Sequence, residues 1–351
     1  MKKKLLALAL TLSCAMSLAA CGGSQTAETT AAAESVASTE AEAAEAGEAA
    51  DSAETADTDW PTGPVSIIVP ASAGGGTDLL ARVAAEKLTQ KLGQSFVVVN
   101  VTGAGGSNGT SQVLDAAADG NTILFYHNAL LINNVTGLTD YTYSDFAVGP
   151  HIVTDKATGF YVSSSAPYQT YPELIEYAKA HPGEVTMGCE VGGFTYMMAK
   201  SFESATGITF NMVDVGSNSD KITALLGGHI DIMPNQYSSV QGYIESGDFT
   251  ALGFPSEERS EVYPDVPTAK EQGVDWNYNG YEFSFFFPKD TPQAIQDKFN
   301  NAIKELFDDN EIQEAILNLG NEGSYLSPED NTELYKGIQE DYETIWAEAN
   351  S

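Results

Sequence analysis

From Trp60 onward the chain alternates short β-branched or aromatic runs with stretches of helical periodicity, and this alternation constrains the fold more than any other feature. Val65–Val69, Phe96–Val99 and Thr122–Tyr126 read as strands, with helices over Thr77–Leu92 and Ser107–Ala117. After a less regular stretch, strands are expected at Gly159–Val162, Val185–Cys189, Ile208–Val213, Ile230–Met233 and Thr250–Phe254. Helices fall between them at Tyr171–Ala180, Phe194–Ala205 and Asp220–Leu226, and the tail is helical over Pro292–Phe307, Asn310–Leu319 and Pro328–Ala349. Strands alternating with helices of this length build βαβ units and mainly parallel sheets. There are two such sets, near Pro64–Tyr126 and Tyr161–Phe254, followed by the apolar run "YEFSFFFP" (Tyr281–Pro288). The expectation is an α/β protein of two lobes with a cleft between them. Its ligand would sit at the carboxyl ends of the strands, where loops enter helices.

Those loops are rich in glycine. "PASAGGGTD" (Pro70–Asp78) leaves the first strand, with Thr77 or Asp78 placed to cap the next helix. "NVTGAGGSNGT" (Asn100–Thr110) repeats the design after the second strand. Gly103, Gly105 and Gly109 are not the dinucleotide spacing, and "DGNTILFYHNAL" has no acidic residue at the end of its strand, so no cofactor is expected. "GCEVGGFTYMMA" (Gly188–Ala199) and "VDVGSNSDK" (Val213–Lys221) hold the same topological position in the second set. Glycines let a backbone approach a ligand closely, and helix N-termini favour a negative or strongly accepting atom. Four such loops around one cleft would bind a small solute through main-chain N–H groups, hydroxyls and trapped water.

The ends set the address. Lys2–Lys4 precede an apolar stretch, Leu5–Leu18, too short to span a membrane, and "LAAC" (Leu18–Cys21) follows. This reads as a lipoprotein signal over residues 1–20, with Cys21 carrying lipid after cleavage. Residues 21–59 are almost entirely Ala, Glu, Ser, Thr and Asp and read as a disordered acidic tether. Cys14 would leave with the leader, so Cys189 remains as a lone thiol and no intramolecular disulfide is possible. The chain has 49 Asp and Glu against 16 Lys and Arg. Without the leader's three lysines and the tether's ten acids, 39 stand against 13. That field excludes nucleic acid as a partner, since such affinity comes from neutralising phosphates.

At these loops the chain resembles the extracytoplasmic solute receptors of the tripartite tricarboxylate transporters, also called Bug proteins. The resemblance is in the order and spacing of Gly63–Thr110, "DAAADGNTILF", "LLGGHIDIM" (Leu225–Met233), "PDVPTAKEQG" (Pro264–Gly273) and "FFPKDTP" (Phe286–Pro292), and covers about Trp60 to Leu319. It implies a periplasmic-binding-protein fold of the type II, venus-flytrap kind, with lobe 1 over 60–160 and 282–351 and lobe 2 over 161–281. It further implies a monomeric receptor, not an enzyme, that passes a small organic solute, often a carboxylate, to integral membrane transporter subunits. Matched by position, Ser72, Ala73, Gly75, Thr77 and Asp78 form the first binding loop, and Gly105, Gly106 and Ser107 the second. Gly193, Phe194 and Thr195 lie in the third, Ser217 in the fourth, and Asn235 follows the strand ending "DIMPN".

Three acids depart from the family pattern: Glu190, Asp214 and Glu282. If they faced the cleft they would repel a di- or trianion, which points to a ligand with one carboxylate and an amino or aromatic group for Phe194 and Tyr196. His127, His151, His181 and His229 show no metal spacing and are read as structural. Ser163–Ser165 and Ser238–Ser239 lack a nucleophile elbow, so an exported hydrolase is disfavoured. A sensing receptor for a membrane kinase would use the same residues as a transport receptor. Hinge strands are expected near Gly159–Val162 and Tyr281–Phe285, and Glu257–Thr268 reads as a surface crossover.

Overall fold

The computed structural model describes residues 58–350; the leader, Cys21 and nearly all of the tether lie outside the described residues. The first lobe opens with β1 (Val65–Val69), α1 (Gly76–Leu92), β2 (Phe96–Asn100), α2 (Ser107–Leu114), β3 (Thr122–Tyr126), α3 (Ala129–Val135) and β4 (Phe146–Thr154). The second holds β5 (Thr158–Ser163), α4 (Tyr171–Ala180), β6 (Thr186–Cys189), α5 (Phe194–Thr206) and β7 (Asn211–Asp214). It continues with α6 (Asn218–Leu226), β8 (Ile232–Gln236), α7 (Tyr237–Glu245) and β9 (Phe249–Gly253). The chain then returns to the first lobe with β10 (Glu282–Pro288), α8 (Gln293–Asp308), α9 (Glu311–Leu317), β11 (Glu322–Leu326) and α10 (Pro328–Ala349).

Each lobe is built on one sheet, in the order β11-β4-β10-β3-β1-β2 for the first and β7-β6-β8-β5-β9 for the second. The expectation of mainly parallel sheets is corrected: both are mixed. β1 runs parallel to β2 and β3, and β6 to β7 and β8, as βαβ connections require. β10 is antiparallel to β3 and β4, β11 to β4, and β5 to β8 and β9, because these strands are fed by the chain crossing between lobes.

Local sequence explains the central elements. Residues of β1 and β10 are almost all buried because helices or loops cover both faces of the sheet. Phe125 of β3 packs between Phe283 and Phe285 of β10, at 6.0 and 4.8 Å between ring centroids. α1 turns Leu80, Ala81, Ala84, Ala85 and Leu88 inward, a thin apolar stripe that brings the helix close to the sheet. α1 stops at Gly93, which is left-handed and donates its N–H to the Thr89 carbonyl.

The lobes are joined where β4 passes into β5 through Asp155–Ala157 and where the chain returns to β10 through Gly280 and Tyr281, at the edges of the expected hinge strands. Asp155 donates its N–H to the Tyr281 carbonyl at 2.9 Å, so the two crossings run side by side. Gly280 sits directly on the Asp155 backbone, where a Cβ would overlap the Asp155 carbonyl. α10 adds a third link. Its Tyr342 hydroxyl accepts from Asn128 Nδ2 at 2.7 Å in the first lobe, and its Trp346 meets Tyr196 of α5 in the second. The Glu257–Thr268 crossover also touches the first lobe: Ser260 Oγ and Glu261 N–H both donate to Glu322 Oε1 of β11, each at 2.7 Å. Cys189 is a free, buried thiol, and no helix among the described residues is long and apolar enough to cross a membrane.

Candidate ligand-binding cleft

The first loop is shaped by Asp78, which faces inward. Helix α1 begins one residue earlier than expected and is capped by Gly75 without a side-chain bond, so neither Thr77 nor Asp78 is its cap. Asp78 is buried, and its carboxylate accepts from Gly74 N–H at 2.8 Å, from Arg82 Nε and Nη2 at 2.9 Å, and from Asn100 Nδ2 at 3.0 Å. Burial alone would raise its pKa, but the bonds from Arg82, Gly74 and Asn100 outweigh it and hold the carboxyl below the usual range. Ser72, Ala73 and Gly75 stay exposed on the outer side of this turn, while Thr77 is buried.

The second loop is fixed from beneath. Gly103, Gly105 and Gly106 all have positive φ, and the Gly105 carbonyl accepts from Tyr126 Oη at 3.2 Å and Asn133 Nδ2 at 2.9 Å. At Gly106 the requirement is double: φ is +93°, and an added Cβ would land on the Tyr126 hydroxyl. In the third loop Thr195 Oγ1 accepts the Glu190 N–H at 2.9 Å, and Gly193 donates to the Glu190 carbonyl at 2.9 Å. Phe194 lies flat against Tyr281, with centroids 3.9 Å apart and planes 23° apart.

These pieces enclose a cavity of about 560 Å³ between the lobes. Of the sequence-selected residues, Ser72, Gly105, Gly106, Gly193 and Phe194 line it. Ala73, Gly75, Thr77, Asp78, Ser107 and Thr195 stand in the same loops behind or beside that wall. Ser217 instead caps α6 in a reciprocal box with Asp220, and Asn235 is buried in β8 with its Oδ1 accepting the Gln236 N–H at 2.9 Å. Of the three acids, Glu190 lines the cavity and is exposed. Asp214 is exposed at the end of β7, outside the cavity wall. Glu282 is buried against His151 Nε2 and Thr154 Oγ1, each at 2.8 Å.

The wall also holds residues that the sequence reading did not select: Tyr126, His127, Asn133 and Tyr281. Their position was the available signal, since Tyr126 and His127 lie at the carboxyl end of β3. His127 Nδ1 accepts the Ala129 N–H at 3.2 Å, which leaves the proton of the neutral ring on Nε2. Burial pushes this imidazole down to about 3, so at neutral pH it is an uncharged donor.

Backbone polarity reinforces this. α1, α2 and α5 start at Gly75, Gly106 and Gly193 with no side-chain cap, as do α3, α7, α8 and α9 elsewhere, whereas α4, α6 and α10 are capped by Thr170, Ser217 and Ser327. The amides of Gly75, Gly106 and Gly193 themselves are taken by the carbonyls of Ser72, Gly103 and Glu190. The first intrahelical bonds are Leu79 N–H to Gly75 and Met197 N–H to Gly193, so the N–H groups of 76–78 and 194–196 lie in the uncompensated first turn. Among the described residues no Lys or Arg lines the cavity. The arrangement offers partial positive charge from dipoles and neutral donors, without a full cation. Nor does any group of three or more His, Cys, Asp or Glu among the described residues form a metal site.

The profile described as "Tripartite tricarboxylate transporter family receptor" matches residues 80–347. The protein BugT of Bordetella pertussis is 31% identical over 267 residues, covering 74% of this chain and 81% of its own. The solved periplasmic binding protein BugD is 27% identical with a TM-score of 0.70, over 83% of this chain and 99% of that one. An R. palustris protein solved with adipate has a TM-score of 0.71 at 24% identity, over 82% and 97% of the two chains, and shares the fold. The family and these structural neighbours are solute-binding receptors rather than enzymes. The chain belongs to the tripartite tricarboxylate transporter family of solute receptors.

Proposed function

We propose that this protein captures a small organic carboxylate outside the cytoplasmic membrane and presents it to the integral subunits of a tripartite transporter. In this reading Cys21 carries the lipid that holds the monomeric receptor to the membrane, and the acidic segment after it gives reach. Solute binds to the open cleft, the lobes close about the Asp155 and Gly280 crossings, and the closed form is what the membrane partner recognises.

The observation that carries the reading is the meeting of helix starts without side-chain caps, at Gly106 and Gly193, on one cavity lined by a neutral histidine, His127. Such a site holds a carboxylate oxygen through N–H groups and water. Ser72, Gly105, Gly106, Gly193 and Phe194, joined by Tyr126, His127 and Tyr281, form the binding surface. The adipate held by the R. palustris relative is the kind of solute this fold accommodates. Calorimetric titration of the purified protein with mono-, di- and tricarboxylates, paired with mass spectrometry of any co-purifying solute, tests it. Saturable carboxylate binding supports the reading, and a co-purified solute with no carboxyl group, together with no binding from the panel, rejects it.

A further inference from the structure

Among the described residues Glu190 is the only one with a formally charged side chain that lines the cleft, and it stands in the second lobe's third loop. Its carboxylate makes no ion pair and no side-chain hydrogen bond among the described residues, although its backbone N–H and carbonyl are fixed by Thr195 and Gly193. Around it are surfaces rather than partners. The Tyr126 and Tyr281 hydroxyls feel its charge across the cavity, and the stacked Phe194–Tyr281 pair forms the adjoining wall. Lys221 also feels Glu190 through space, but its ammonium is buried, does not line the cleft and has no hydrogen-bond partner among the described residues. The cleft therefore has two poles: on the first lobe the α2 start at Gly106 and His127 Nε2–H, and on the second lobe the Glu190 carboxylate in the third loop.

A di- or tricarboxylate placed here would put a second negative charge near Glu190 with no Lys or Arg in the wall to offset it. A ligand with one carboxylate and one ammonium gives each pole its complement. The stacked Phe194–Tyr281 pair offers the rest of such a ligand an apolar wall in the same cavity. We infer that the receptor selects a zwitterionic amino carboxylate with an apolar or aromatic flank, and that Glu190 is the residue that reads the ammonium. The cavity of about 560 Å³ leaves room for such a flank against Phe194 and Leu138. This inference rests on the carboxylate reading above and adds the second charge.

The test is calorimetry on the purified full-length protein and on Glu190→Gln, with matched probes. These are L-phenylalanine and L-leucine, their deaminated analogues 3-phenylpropionate and 4-methylvalerate, and malate and adipate. Glu190 is exposed and its side chain makes no hydrogen bond or ion pair among the described residues, so the substitution should leave the fold intact, which equal melting curves check. The inference expects an amino acid to bind the wild type at least tenfold tighter than its deaminated analogue. Glu190→Gln should erase that ratio while leaving the analogue's affinity unchanged or improved. Tighter binding of malate, adipate or a deaminated acid overturns the ammonium assignment while leaving the carboxylate reading in place. Preference for an amino acid that survives in Glu190→Gln overturns the role of Glu190. Binding of no probe in either protein overturns the amino-carboxylate inference, while the carboxylate reading is decided by the co-purified solute.

Discussion

Phe194, the first residue of α5, lies parallel to Tyr281, the last residue before β10, at 3.9 Å between ring centroids. The pair joins the third loop of the second lobe to the chain returning to the first, so one aromatic contact forms part of the ligand wall and part of the lobe junction. Phe194→Leu keeps an apolar side chain but removes the stack. Such pairs contribute about 0.5–1.5 kcal/mol beyond their buried area, so thermal unfolding should show a loss of that order. Solute affinity should fall at the same time, because Glu190–Gly193 loses its anchor; unchanged affinity would separate the loop from the site.

Gly106 is required by both φ and space, at +93° and against the Tyr126 hydroxyl. Gly106→Ala should cost about 1–2 kcal/mol for the left-handed backbone, and solute affinity should drop tenfold or more. Tyr126→Phe in the same chain removes the hydroxyl in the way. A double-mutant cycle should then recover part of the loss, and strict additivity would refute the contact.

The crossing at Gly280 admits no side chain, because the Asp155 backbone occupies the place of its Cβ. Gly280→Ala should destabilise the protein by about 3 kcal/mol or more, at the upper end of overpacking costs. Urea unfolding measures it. A loss under about 1 kcal/mol would mean that the two crossings separate easily.

His127 gives the acid limb of the stability curve a distinct sign. Its pKa in the folded protein is about 3, below the 6.5 of the free imidazole. As pH falls through 6.5 the unfolded chain takes up the proton first, and stability drops until the folded ring also titrates near 3. His127→Gln should therefore flatten the fall in melting temperature between pH 6 and 4. Asp78 acts at lower pH, because its carboxyl is held below the usual range and its stabilisation fades as it protonates. A wild-type slope retained by His127→Gln would assign the acid limb to other groups.

Lys221 is fully buried with an unpartnered ammonium, and burial lowers its pKa. Lys221→Met, similar in length and without the polar atom, should stabilise the protein by about 1–3 kcal/mol, the usual cost of an unsatisfied buried group. The gain should shrink as pH rises toward 10, where the lysine enters the fold neutral at less cost. Destabilisation instead would show that the ammonium has a role the fold depends on.

Much of the architecture is legible in the chain because βα alternation is a local signal. β1, β2 and β3 and the helices α4, α5 and α10 fall within a few residues of their expected positions. β4 is not legible: it carries Gly149 and Pro150 in its middle, and both read as a break. The sheet absorbs them through register shifts where β10 pairs with β4. α3 and α7 are short and rich in Asn, Ser or Gly, so pattern alone does not reveal them. The antiparallel pairs come from the long return of the chain, which local periodicity does not encode. In the site, the glycine loops are visible because runs of glycine interrupt both the strand and the helix pattern, whereas Tyr126, His127 and Tyr281 look like core aromatics until the lobes are placed face to face. Ser217 differs from the other loop residues. Its loop resembles the others, but its hydroxyl is spent on capping α6.

A structure of the receptor with its solute bound puts the account to its most direct test. The account predicts the solute carboxylate within hydrogen-bond distance of N–H groups in the first turn of α2 or α5, with no lysine or arginine touching it. A carboxylate paired to a basic side chain, or a solute lodged outside the cleft in the hollow between α5 and α10, would contradict it.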